Sequence, residues 1–136
     1  MDAGAQGMLG PYCETVEQVR EVVAAAKWRP LKGEAAERVV LTGEHVSDST
    51  RSYLEDRNKN SICIIGIESE AAVNNLAAML EVQGIDGIFV GPNDMSISLG
   101  IPDQYDQKIY QDAVKKVIDM SEAKGIATLV HQQTPD

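Results

Sequence analysis

The chain has 136 residues, 12 basic and 21 acidic, giving a formal net charge of −9, with 43% hydrophobic and only 4% aromatic side chains. That is enough apolar material for one core of ordinary domain size, while the negative charge, with no Lys/Arg-rich run, argues against nucleic-acid binding. The longest apolar run, Ile62 to Ile67, is far too short to cross a bilayer, and Met1-Asp2-Ala3-Gly4 has neither part of a secretory signal, so a cytoplasmic protein is expected.

Cys13 and Cys63 fit no metal or disulfide spacing and read as reduced thiols. Met8-Leu9 is a short apolar stretch leading to Pro11. Thr15 with Gln18 forms a capping-box pair, and Val16, Val19, Val22, Val23 and Ala26 then recur at helical spacing, which predicts an amphipathic helix over 15–27. Pro30 and Gly33 close it. Residues 34–50 have weak periodicity and read as a long loop with at most one helical turn, and 51–58 read as a short helix carrying Tyr53 and Leu54. Ile62-Cys63-Ile64-Ile65-Gly66-Ile67 is β-branched, apolar on both faces and of strand length, as a parallel strand covered on both sides requires.

A helix is expected over 70–82 through Ala72, Val73, Leu76, Met79 and Leu80, ended by Gly84. Ile85–Val90 is a second buried strand, followed by a loop at 91–94. A third helix over about 106–124 turns Ile109, Ala113, Val117 and Ile118 inward, with Gly125 just past its end, and Ile126–Val130 is a last strand. Strands alternating with helices mean βαβ units and an α/β parallel sheet. No linker, charge block or repeat divides the chain, so 1–136 is one domain or part of one. A complete (β/α)8 barrel takes about 250 residues, so the chain has room for roughly half.

In parallel α/β folds reacting groups collect at the carboxyl ends of strands. Glu68 follows one predicted strand and Gly91-Pro92-Asn93-Asp94 follows the next. Neighbouring strand mouths lie about 4.8 Å apart, so Glu68 and Asp94 are placed to share a divalent cation through hard oxygen ligands. The alternative is that both serve helix N-termini as dipole partner and cap. Gly91 allows close backbone approach and the Asn93 and Asp94 amides suit an anion, though Gly-Pro-Asn-Asp also makes an ordinary turn. His131 follows the last strand and is a weak acid–base candidate, and His45 in the long loop is weaker. Tyr12 and Trp28 read as packing residues, and Lys115-Lys116 as a solvated helix face. The motifs for dinucleotides, NTPs, zinc proteases and serine hydrolases are absent from the sequence.

Four segments in order carry a resemblance: Asp2-Ala3-Gly4-Ala5-Gln6-Gly7, Gly66-Ile67-Glu68-Ser69, the run Gly84 to Ser96 with its Gly-Pro-Asn-Asp-Met-Ser end, and Leu99-Gly100-Ile101-Pro102. Together they resemble the HpcH/HpaI family of class II pyruvate aldolases, with its citrate-lyase-like relatives, from the first residue to about His131. The resemblance implies a (β/α)8 barrel of which this chain supplies roughly strands four to seven, the C-terminal-half portion. It implies a divalent metal, Mg2+ or Mn2+, held by Glu68 and Asp94, and a 2-oxo acid whose carboxylate meets the backbone amides at Asn93-Asp94. The reaction implied is aldol addition of a pyruvate enolate to an aldehyde, or its reverse. Some family members carry a substrate-contacting glutamine where this chain has Gly66. The family's catalytic histidine and enolate-stabilising arginine lie on earlier strands, and neither His45 nor His131 matches that histidine. The alternative is a catalytically silent half-barrel that binds metal or oxo acid or pairs with another chain. Exposed strand edges and an uncovered inner face favour association, so a homo-oligomer is expected.

Overall fold

The computed structural model describes residues 4–42 and 46–131; His45 and the Asp2-Ala3 pair lie outside the described residues. In chain order the elements are β1 (Gly7–Gly10), α1 (Val16–Lys27), α2 (Gly33–Thr42), α3 (Asp48–Asn58), β2 (Ile62–Ile67), α4 (Glu70–Met79), β3 (Gly87–Val90), α5 (Pro92–Ser98), α6 (Lys108–Glu122) and β4 (Ala127–Val130). The strands form one sheet in the order β1-β2-β3-β4, every pair parallel. All four carboxyl ends therefore lie along one edge. This is a parallel α/β fold compatible with part of a TIM-type barrel.

Because side chains alternate across a strand, the register divides the sheet into two faces. Met8, Cys63, Ile65, Ile67, Ile88 and Val90 belong to one cluster with Val19, Val23 and Ala26 of α1, Leu76 and Met79 of α4, and Tyr110 and Val117 of α6. On the opposite face lie Leu9, Ile62 and Leu129, which are 41%, 49% and 48% exposed. The expectation that the Ile62 run is covered on both sides is thus met on the helix side only.

The capping box of α1 is complete: Thr15 Oγ1 accepts the Gln18 amide at 3.3 Å, and Gln18 Oε1 accepts the Thr15 amide at 3.1 Å. Such a cap contributes about 1 kcal/mol. At the amino edge of the sheet, Asp86 Oδ2 accepts the Cys63 amide at 2.7 Å and pairs with Lys27 Nζ at 2.6 Å. Lys27 Nζ also donates to the Ser61 carbonyl. Asp86 thus takes a ladder position from the side, and β3 starts at Gly87 rather than at Ile85.

Three expectations are corrected. Residues 34–50 are not a long loop, since α2 and the start of α3 occupy most of them. α2 has no buried residue and so carries no core stripe to read; it lies along α1, where Arg20 Nη1 donates to the Leu41 carbonyl at 3.0 Å. The 91–94 loop is the first turn of α5, because Pro92 at the start of a helix loses no hydrogen bond and is already set at helical φ. In α6 the inward stripe runs through Tyr110, Val117 and Ser121, which leaves Ile109 exposed.

Candidate active site at the carboxyl edge of the sheet

Glu68 follows β2 and is 6% exposed. It caps nothing: Ser69 is the N-cap of α4, its Oγ accepting the Ala72 amide at 3.1 Å. Asp94 lies in the first turn of α5, whose cap is Gly91. Asp94 is exposed, and its carboxyl group comes within hydrogen-bonding reach of Glu68. The two carboxylates named from the sequence therefore lie at adjacent strand mouths; Ser69 and Gly91 hold the N-cap positions, Glu68 directly precedes one of them, and Asp94 is the acidic residue of the first turn of α5.

Glu68 is set by its surroundings. The Tyr12 amide donates to Glu68 Oε1 at 3.0 Å, and the next amide, Cys13 N–H, donates to the Gly66 carbonyl at 3.1 Å. Tyr12 reaches this geometry with φ at +55°, a left-handed conformation that costs a non-glycine residue roughly 1–2 kcal/mol. Two glycines cradle the carboxylate. A Cβ on Gly91 would sit 2.9 Å from Glu68 Cδ and 3.0 Å from its Cγ, and closer still to Oε2. A Cβ on Gly66 would press on Glu68 Oε1, 3.0 Å from Pro11 Cα and 3.2 Å from Tyr12 N. Burial pushes the Glu68 pKa above the ordinary carboxylate value, the Tyr12 amide draws it partly back, and Asp94 beside it pushes it up again.

Two hard-oxygen carboxylates in contact suit a divalent cation, which would relieve both the burial and the like-charge repulsion. Among the described residues no group of three His, Cys, Asp or Glu side chains converges on a metal position. A cation held by Glu68 and Asp94 would complete its shell with substrate and water oxygens, as Mg2+ sites commonly do.

Gly66 is buried beneath Glu68 and the Pro11–Tyr12 turn, so a side chain there meets protein before it meets ligand. Asn93 is exposed at the start of α5, next to Tyr105. His131 lines a separate cavity of about 320 Å³ with Pro92, Tyr105, Tyr110 and Lys115. Cys13 and Cys63 are free, buried thiols. Trp28 packs against the core as expected.

Tyr12 corrects the sequence reading: the residue is 47% exposed and its amide holds Glu68. Backbone donors leave no residue signature, so this role was invisible in the sequence. Glu14 was also missed. Its Oε1 accepts from Ser69 Oγ at 2.6 Å and its carbonyl accepts from Asn75 at 2.9 Å, which ties the turn after β1 to the residue following Glu68.

Four parallel strands in sequence order, with two carboxylates at the sheet's carboxyl edge, define a parallel α/β protein compatible with part of a TIM-type barrel. The chain belongs to the HpcH/HpaI aldolase/citrate lyase family, whose model matches residues 1–134. It is 38% identical over 132 residues to a 2-keto-3-deoxy-L-rhamnonate aldolase of Salmonella paratyphi B, covering 93% of this chain and 47% of that protein. The protein of the same name from Klebsiella pneumoniae is 35% identical over 133 residues, covering 92% and 48%. Among solved structures, an HpcH/HpaI aldolase from Desulfitobacterium hafniense superposes with a TM-score of 0.76 at 29% identity, over 98% of this chain and 51% of that one. A family protein from Burkholderia cenocepacia gives 0.73 at 26% identity, over 95% and 51%. The chain spans about half the length of the relatives it matches.

Proposed function

We propose that the chain is the C-terminal-half portion, roughly strands four to seven, of a divalent-metal-dependent carbon–carbon lyase that forms or cleaves 2-oxo acids through a pyruvate enolate. The observation that carries this reading is the meeting of buried Glu68 with Asp94 at adjacent strand mouths. Glu68 and Asp94 hold the cation, Mg2+ or Mn2+. When bound, it supplies Lewis-acid stabilisation of negative charge developing on the substrate's 2-oxo oxygen. The Tyr12 amide fixes one Glu68 oxygen and leaves the other for the ion. The Asn93 and Asp94 amides, in a first turn that no side chain caps, receive the substrate carboxylate. Gly66 belongs to the substrate side through what it leaves out: with no side chain there, Glu68 and the Pro11–Tyr12 turn close up beneath the ligand. The second reactant is a small aldehyde. The protein works in the cytoplasm and as a homo-oligomer.

A second reading, a catalytically silent half-barrel that pairs with another chain, draws on the exposed apolar face carrying Leu9, Ile62 and Leu129. Both readings are tested by Mn2+ binding, followed by electron paramagnetic resonance, with and without pyruvate, together with retro-aldol turnover. The aldolase reading expects pyruvate to tighten Mn2+ binding, and Glu68→Ala or Asp94→Ala to weaken it at least about tenfold, the loss of one charged ligand. Unchanged Mn2+ affinity in both variants overturns it. Intact binding without turnover, on an even-numbered oligomer, selects the second reading.

A further inference from the structure

A cavity of about 360 Å³ lies between the end of α1, α3 and the turn before β3, lined by Lys27, Trp28, Arg51, Glu55, Asn58 and Lys59 and closed by residues 83–84. A volume of this order holds a small organic molecule. The Lys27–Asp86 pair beside it puts the cavity toward the amino end of the sheet, with the length of β2 and β3 between it and Glu68. One wall is fixed, because the buried Asn58 amide nitrogen donates to the Arg29 and Leu54 carbonyls at 2.7 and 2.8 Å.

Three of the lining side chains are cations, in a chain with 21 acidic residues against 12 basic. With acid in such excess, basic side chains readily find partners. Lys27 pairs with Asp86 and Lys59 with Asp56, and Lys108, Lys115 and Lys124 each pair with a carboxylate. Arg51 does not. Among the described residues its side chain makes no ion pair or hydrogen bond, and its Nε is shut off from solvent with no acceptor.

Arginine cannot relieve this by losing its proton. The carboxylate at hand is Glu55, one helical turn further along α3 and lining the same cavity, yet it stays exposed and does not close on Arg51. With the base before the acid, an i,i+4 pair is the weaker arrangement, because both charges then oppose the helix dipole. A buried, charged donor without an acceptor therefore borders a cavity of ligand size. A guanidinium presents its N–H groups as a rigid fork that matches two oxygens of a carboxylate or phosphate group.

We propose that this cavity binds the oxyanion group of a small organic molecule, a phosphate or a carboxylate. Arg51 is the anchor, Lys27 and Lys59 supply surrounding positive charge, and Trp28 is the apolar wall for the rest of the ligand. The site is apart from the Glu68–Asp94 pair and does not depend on the aldolase reading.

Trp28 is the only tryptophan in the chain, so its fluorescence reports on the cavity directly. It is followed in the metal-free full chain as inorganic phosphate, glycerol phosphate or acetate is added at constant ionic strength, with chloride as the control salt. Native protein is expected to give a saturable change with at least one of the three anions and none with chloride. Saturation by the phosphates alone assigns the site to phosphate groups, and saturation by acetate assigns it to carboxylates. Arg51→Gln is expected to weaken binding at least about tenfold, the worth of a hydrogen bond to a charged group. Glu55→Gln changes an exposed side chain and is expected to tighten binding about twofold to fivefold by removing a like charge. Glu68→Gln is expected to leave affinity within about twofold, as for distant, independent sites. No saturable response to any of the three anions overturns the proposal, as does native affinity in Arg51→Gln or weakened binding in Glu55→Gln.

Discussion

Gly91→Ala isolates the cradle around Glu68. The three heavy atoms nearest to the added Cβ all belong to the Glu68 side chain. That side chain has nowhere to retreat, because Tyr12 holds Oε1 and Gly66 backs it. Overpacking of this kind costs about 1–3 kcal/mol, which for a domain of this size lowers the melting temperature by about 3–5 °C per kcal/mol. Truncating Glu68 to alanine removes all three contacts, so in that background Gly91→Ala is expected to cost less than about 0.5 kcal/mol. The resulting coupling energy, at least about 0.5 kcal/mol, falls in the range of residues in direct contact. Gly66→Ala is the internal control: its Cβ also meets Pro11 Cα and Tyr12 N, so most of its cost is expected to survive Glu68→Ala. Thermal and urea denaturation of the six proteins measures all of this. Equal costs for Gly91→Ala in both backgrounds would refute the cradle.

Glu68→Gln keeps the acceptor for the Tyr12 amide and removes a charge whose folded-state pKa is raised. A carboxyl group shifted upward withholds stability above its folded pKa, so metal-free Glu68→Gln is expected to melt above the native protein at pH 7, and the gain is expected to vanish as the pH falls below that pKa. Burial also pushes the Cys63 thiol up to about 11 from an ordinary value near 9, with Lys27 opposing the rise. Its contribution is therefore complete below pH 9 and lost as pH rises through 11; urea midpoints are expected to fall across that window, and less steeply in Cys63→Ala. At the amino edge, Lys27→Met is expected to cost about 1–2 kcal/mol by releasing Asp86 and the Ser61 carbonyl, and to leave Mn2+ affinity unchanged. Altered Mn2+ affinity there would contradict the separation of the two edges.

How much of this was legible in the sequence depends on whether a residue's partner is a pattern or a place. α1, β2 and α4 were readable because Val19, Val23, Cys63, Ile65, Leu76 and Met79 all face one core and recur at the period of their element. α2 was not, because its apolar residues Ala35, Ala36, Val39 and Val40 are only half-buried and none of them joins the core. Glu68 and Asp94 were readable from their positions after apolar strands, since parallel topology converts sequence order into adjacency. Tyr12 was not. It acts through an amide set by a left-handed backbone at a non-glycine residue, and a tyrosine does not announce that conformation.

The two edges of the sheet obey opposite rules. At the amino edge every choice stabilises: Lys27 neutralises Asp86, Asp86 satisfies the Cys63 amide, and Lys27 satisfies the Ser61 carbonyl. At the carboxyl edge the choices run the other way. Tyr12 is left-handed, Gly66 and Gly91 weaken strand and cap by omitting side chains, and a buried carboxylate stands against a second one. Local rules broken together at one place mark a candidate functional site. On the proposed function, a divalent cation would offset like charge, burial and the raised pKa at once.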